Sequence, residues 1–127
     1  MFEIDVKSRK PISEQIVDNF KELIVSGVMV AGEKVPSVRE MAARLTVNPN
    51  TVQKAYRTLE QQGYIYTSAG RGTFVESPDS VEAQPQDIEQ ARSEVREAIS
   101  KLYYLGISKK EAEKTIKELL DERGDWK

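Results

Sequence analysis

Ser37-Val38-Arg39-Glu40-Met41-Ala42-Ala43-Arg44-Leu45-Thr46-Val47-Asn48-Pro49-Asn50-Thr51-Val52-Gln53-Lys54-Ala55-Tyr56-Arg57-Thr58-Leu59 carries two helix starts in close succession. The first is a capping box. The Ser37 hydroxyl is placed to accept from a first-turn N–H, and Glu40 to reach back to the cap. Val38, Met41, Ala42 and Leu45 then recur at i, i+3, i+4 and i+7, one apolar stripe of a short helix. After the break Thr46-Val47-Asn48, the asparagine can cap a second helix. Pro49 suits its first position, where a missing N–H costs nothing. Val52, Ala55, Tyr56 and Leu59 repeat the same stripe, and Gly63 closes it. Two short amphipathic helices joined by about three residues read as a helix-turn-helix.

Outward from this pair, the pattern stays regular. Ile12, Ile16, Phe20, Leu23 and Ile24 predict a first helix near 11–26, opened by Pro11 and stopped by Gly27. Phe2, Ile4 and Val6 alternate, as in a short strand or extended arm. Downstream, Tyr64–Thr67 and Thr73–Val75 are β-prone runs around the turn-forming Ser68–Gly72. That hairpin adds a wing. Residues 77–87, with two prolines and no aromatics, read as a linker. Beyond it, Ile88, Ala91, Val95, Ile99 and Leu102 step helically, with Asp87 as cap and Gly106 as stop. A second capping box, Ser108 with Glu111, opens a helix through Ala112, Ile116, Leu119 and Leu120, which gives a helical hairpin at 88–123. The expected fold is mostly α with a small β-hairpin. A winged helix-turn-helix over 1–76 and a linker over 77–87 precede a C-terminal two-helix dimerisation hairpin within 88–127. So short a tail cannot bury two amphipathic faces alone, so a partner is implied.

Composition narrows the chemistry. The chain has 127 residues and neither cysteine nor histidine. Disulfides, thiolate zinc sites, thiol nucleophiles, imidazole proton relays and histidine-ligated metals are therefore excluded. No catalytic residue, metal ligand or cofactor motif stands out. Glu94, Glu97, Glu111, Glu113, Glu118 and Asp121 alternate with Lys and Arg as on solvated helix faces, not as a catalytic carboxylate pair. No apolar run approaches the ~20 residues of a membrane span, and the N-terminal residues lack a signal-peptide pattern, so a cytoplasmic location is expected.

Formal charge is −2, which taken whole argues against nucleic acid. Its distribution does not. Residues 34–75 hold six basic and two acidic side chains, net +4, whereas residues 77–127 are net −3. An acidic tail is repelled by phosphates and held off a duplex.

The second helix of such a motif enters the major groove with its N-terminal residues toward base edges. Here those are Asn50, Thr51, Gln53, Lys54 and Arg57, all off the apolar stripe. Asn and Gln can read adenine, Thr offers a hydroxyl or methyl, and Lys or Arg reads guanine or meets phosphate. Arg39 opens the preceding helix. At the wing, Gly70 and Gly72 let backbone approach phosphates and Arg71 suits a narrow minor groove. A polar helix face is commonly only solvated, and Gly-Arg-Gly is also plain turn chemistry. The ordered assembly of capped helix, turn, Pro-started helix and hairpin is what points to double-stranded DNA. Two alternatives remain: a module whose tail pocket binds a small molecule and releases DNA, and a winged helix used for protein contact alone. Tyr103, Tyr104 and Trp126 either line a ligand pocket or pack an interface, and aromatic enrichment at interfaces favours the second. A small-molecule effector stays open, with no residue pattern that supports it.

Ala31–Ala42, Val47–Tyr56, Leu59–Ile65 and Gly70–Val75 together resemble the GntR family of bacterial transcription regulators, over about residues 10–76. The run Asn48–Tyr56 and the short tail resemble its YtrA-type subgroup. The resemblance implies a repressor acting as a homodimer on a palindromic operator, paired through the C-terminal helices. It places Arg39, Asn50, Thr51, Gly70 and Gly72 at DNA-contacting positions. Many members have Ser-Arg where this chain has Asn48-Pro49, so an arginine–base contact is missing and the operator should differ. Larger members append a metabolite-binding domain of well over a hundred residues, whereas the roughly 40 residues after the linker here fit dimerisation better than a roomy pocket.

Overall fold

The computed structural model describes residues 2–77, 79, 81, 83–124 and 126. Among them are five helices and a three-stranded antiparallel sheet. The order is α1 (Ile12–Val25), β1 (Lys34–Val35), α2 (Val38–Leu45), α3 (Pro49–Gln61), β2 (Ile65–Ser68), β3 (Gly72–Val75), α4 (Pro85–Tyr104) and α5 (Lys109–Glu122). The chain divides into two compact units, Met1–Glu82 and Ala83–Lys127.

The first unit is a winged helix-turn-helix. The apolar stripes of its three helices converge on one core. Ile16, Phe20, Val52 and Leu59 are completely buried, with Val35, Met41, Ala42, Ala55, Tyr56, Ile65 and Val75 around them. Each large side chain so buried contributes roughly 1.5–3 kcal/mol. Phe20 sits at the centre, edge-on to Phe2 at 4.7 Å and to Tyr56 at 5.5 Å. Thr46 ends α2 in the left-handed conformation (φ 56°), and the Val47 N–H donates back to the Ala42 carbonyl at 3.0 Å. That bond closes the helix with a Schellman-type turn and reverses the chain into α3.

Several details depart from the sequence-based expectation. Pro11 is the N-cap of α1, one position before the first helical residue. Of the strand and the extended arm that the alternation allows, residues 2–5 take the arm, and residues 6–10 form turns and bends. Val6 is 80% exposed, so the alternation ends at Ile4. Side chains of α1 hold the backbone at Glu3, Asp5 and Lys10, while Asp5 and Ser8 accept from the N–H groups of Lys7, Ser8 and Lys10 within the segment. Gln15 Oε1 accepts from the Asp5 N–H at 2.8 Å, and its Nε2 donates to the Asp5 and Lys10 carbonyls. Asn19 exchanges two bonds with Glu3, each at 3.1 Å.

The wing strands are shifted from the β-prone runs of the sequence: Tyr64 lies outside β2, while Ser68 and Gly72 are paired within the ladder. β1 has no counterpart in the expected elements. It pairs with β3 in the register Lys34↔Phe74 and Val35↔Thr73, and gives the sheet the order β1-β3-β2.

The second unit is a helical hairpin. α4 begins at Pro85, so the last three residues of the expected linker are helical, and Pro78, Ser80 and Glu82 lie outside the described residues. Gln84 is the cap and makes no side-chain cap bond. Asp87 lies in the first turn, where its charge suits the helix dipole. Ser108 caps α5 as expected, accepting from the Glu111 N–H at 3.2 Å. Neither helix contains a buried residue. A groove of about 430 Å³ runs between them, lined by Val95, Ile99, Leu102, Ile116, Leu119 and Trp126 among others. The Trp126 ring is anchored by its Nε1, which donates to the Leu120 carbonyl at 2.8 Å. Tyr103 and Tyr104 do not line the groove. They are strongly exposed and meet each other edge-on at 5.8 Å.

Candidate nucleic-acid interface

Both helices of the motif start on the caps that the sequence contains. Asn48 Oδ1 accepts from the Asn50 N–H at 2.8 Å, with Pro49 in the first turn. Ser37 Oγ accepts from the Glu40 N–H at 3.1 Å. The reciprocal half of that capping box is not made. The Glu40 carboxylate lies 3.9 Å from the Arg44 guanidinium instead, a loose exposed pair one helical turn away.

These starts fix which residues α3 turns outward. Asn50, Gln53, Lys54 and Arg57 are exposed on one continuous face, opposite buried Val52, Ala55, Tyr56 and Leu59. Thr51 is half-buried and sits at the margin of that face. Arg39 is exposed in the first turn of α2. Arg39, Lys54, Arg57 and Arg71 form no salt bridge among the described residues, so their charges are available to an outside anion.

One part-buried bond ties the start of α2 to the middle of α3. The Tyr56 hydroxyl of α3 donates to the Pro36 carbonyl at 2.7 Å, immediately before the Ser37 cap. Burial pushes the Tyr56 phenol well above its ordinary range, with smaller and opposed contributions from Arg44 and Glu40, so it stays a neutral donor. The sequence marks Tyr56 as a core residue with a polar tip. Its acceptor is twenty residues away and has no local signal.

The wing is a tight hairpin. The Arg71 N–H donates to the Ser68 carbonyl at 3.0 Å across the turn. Gly70 has φ +74° and open space around it, so backbone conformation requires glycine there. Arg71 is exposed beside it. Gly72 has φ +123°, and a Cβ on it would lie 3.0 Å from Lys34 Cε and 3.7 Å from Lys34 Nζ. Lys34 is outside the residue set that the sequence singles out, because a two-residue strand has no periodicity to reveal it. On the wing's outer surface, Tyr66 and Phe74 stack at 5.7 Å.

Comparison with known proteins agrees with this geometry. Residues 12–75 match the family described as bacterial regulatory proteins, gntR family. The chain is 38% identical over 119 residues to the HTH-type transcriptional repressor YtrA of Bacillus subtilis, covering 94% of this chain and 92% of that protein. A crystal structure described as a transcriptional antiterminator from Listeria monocytogenes superposes with a TM-score of 0.80 at 44% identity, over 94% of this chain and 89% of that one. The DNA-binding domain of AraR in complex with operator ORX1 aligns with a TM-score of 0.53 at 26% identity, over 58% of this chain and 95% of that one. A capped helix pair, an outward polar face on α3 and a wing thus coincide with the matched region, and the chain belongs to the gntR family of bacterial, DNA-binding transcriptional regulators.

Proposed function

We propose that the protein is a repressor that binds a palindromic operator as a homodimer in the bacterial cytoplasm. The observation that carries this is the outward face of α3: Asn50, Gln53, Lys54 and Arg57 are exposed there, and neither Lys54 nor Arg57 is held in a salt bridge among the described residues. Asn50 and Gln53 have the donor–acceptor pairs that read adenine, and Lys54 and Arg57 suit guanine or phosphate. Thr51, at the margin, supplies its hydroxyl or methyl. Arg39 reaches the duplex from α2, and Gly70, Arg71 and Gly72 present the wing to the backbone and minor groove. Residues 1–76 are the DNA-binding part, and the hairpin of α4 and α5, which opens at Pro85 within the expected 77–87 connection, is the pairing part. Repression is supported by the similarity to a protein described as a repressor. Operator binding is supported by the similarity to a domain captured on its operator.

Dimerisation rests on the unburied apolar rows of the tail. Val95, Ile99, Leu119 and Leu120 each keep about half their surface exposed in the single chain, on helices whose sequence is plainly amphipathic. Hydrophobic faces left open in this way are covered in stable proteins. Tyr103 and Tyr104, outside the groove, are also exposed, and a second subunit covers rings and groove better than a small ligand does.

Selection of bound sequences from a random duplex pool tests the whole reading. Inverted repeats are expected, with half-site centres about 34 Å apart along the duplex or a multiple of that. Recovery of sequences without two-fold symmetry would remove the dimer, and no enrichment would remove the DNA reading. On the selected operator, Arg39→Ala should weaken binding by about 1–3 kcal/mol and relax preference at one position of each half-site. Unchanged affinity at fixed salt would take Arg39 out of the interface.

A further inference from the structure

β1, α3 and the wing leave one cation whose path is unusual. Lys34 is exposed on β1 and is paired in register with Phe74 of β3, so both side chains stand on the outer surface of the sheet. Two residues along β3 toward the turn, on that same surface, lies Gly72. Its missing side chain leaves a trough, and the end of the Lys34 side chain occupies it: Cε lies 3.0 Å and Nζ 3.7 Å from where a Gly72 Cβ would be. The lysine therefore runs diagonally across β3 and brings its ammonium to the residue next to Arg71. It has no salt-bridge partner among the described residues. No acidic residue occurs between Glu60 and Glu76, so the wing brings no carboxylate of its own to neutralise it.

We propose that Lys34 is a DNA-contacting residue of the wing. It acts with Arg71 as a two-cation clamp on the sugar–phosphate backbone, and the absence of a side chain at Gly72 sets its direction. This rests on the reading of the protein as an operator-binding regulator and adds to it a residue on a different strand. The ligand is phosphate of duplex DNA, not a base edge. A lysine ammonium is a compact charge without the planar fork of arginine, and it contacts a phosphate without demanding a particular sequence. The trough gives Gly72 a second reason to be glycine besides its backbone conformation. Any side chain there displaces the lysine stem.

The test is a salt titration of full-length Lys34→Gln, Lys34→Arg and unsubstituted protein on the selected operator and on a scrambled duplex. Loss of one phosphate contact lowers the slope of log affinity against log salt by about 0.9 for each bound subunit. Lys34→Gln should show that smaller slope on both duplexes, with a several-fold loss of affinity at low salt that is similar on the two. Lys34→Arg should restore both. Thermal unfolding should be unaltered in each variant, since Lys34 is exposed. A wild-type slope in Lys34→Gln overturns the proposal while leaving the regulator reading intact. Loss on the operator alone also overturns it, because that is the behaviour of a base contact. Absence of salt-dependent binding to any duplex by the unsubstituted protein sinks both readings together.

Discussion

Truncation after residue 82 should leave a folded monomer whose operator affinity is lower by about 10²–10⁴-fold. The first unit keeps its complete core, since every residue of the buried cluster from Ile16 to Val75 lies within Met1–Glu82. Its thermal transition should therefore survive the cut. In the proposed dimer, what is lost is the link between two winged helices. In a dimer the second half-site is engaged at the high effective concentration set by the first, and a monomer forgoes that advantage without losing a single DNA contact. Sedimentation, thermal melting and operator titration on the same preparation separate these effects. A truncated chain that still sediments as a dimer, or one that keeps full-length affinity, would falsify the pairing role of α4 and α5.

The second large effect is on stability. Phe20→Ala should cost about 3–5 kcal/mol. Small domains hold only about 5–15 kcal/mol in total, so a substantial part of the first unit's stability would go. Phe20 is completely buried and contacts both the N-terminal arm, through Phe2, and α3, through Tyr56. Its removal opens a cavity where the arm, α1 and α3 meet. Urea unfolding should show a lower midpoint with an unchanged slope. Val6→Ala is the matched control. At 80% exposure that side chain should change stability by less than about 0.5 kcal/mol. A Phe20→Ala loss no larger than the control would mean that the centre of the core has been misplaced.

The helix-turn-helix is legible in the sequence because its signals are local. A cap acts on N–H groups two or three residues away, as at Ser37, Asn48 and Ser108. An apolar stripe declares itself within three turns, so the identity of the outward face of α3 follows from the buried one. The same locality explains where spacing misleads. Glu40 satisfies the spacing of a capping box, yet its exposed carboxylate lies by Arg44 one turn on and makes no bond to the cap. Asp87 is a good capping type, but Pro85 two residues earlier is a better first helical residue, and the helix starts there.

Residue spacing is thus enough to establish the two capped helices, the hairpin and the amphipathic tail, because the forces that shape them act over a few residues. β1 is different. Lys34 and Val35 become a strand only because β3 lies alongside with free hydrogen-bonding groups, about forty residues farther along the chain. The extended residues 2–5 are likewise held by the Gln15 and Asn19 amides, and the start of α2 is held by a tyrosine from α3. These bonds cost chain entropy to close and leave no periodic mark. They aim Lys34 along the wing and link the α2 start to α3, and they exist only once the chain has folded back on itself.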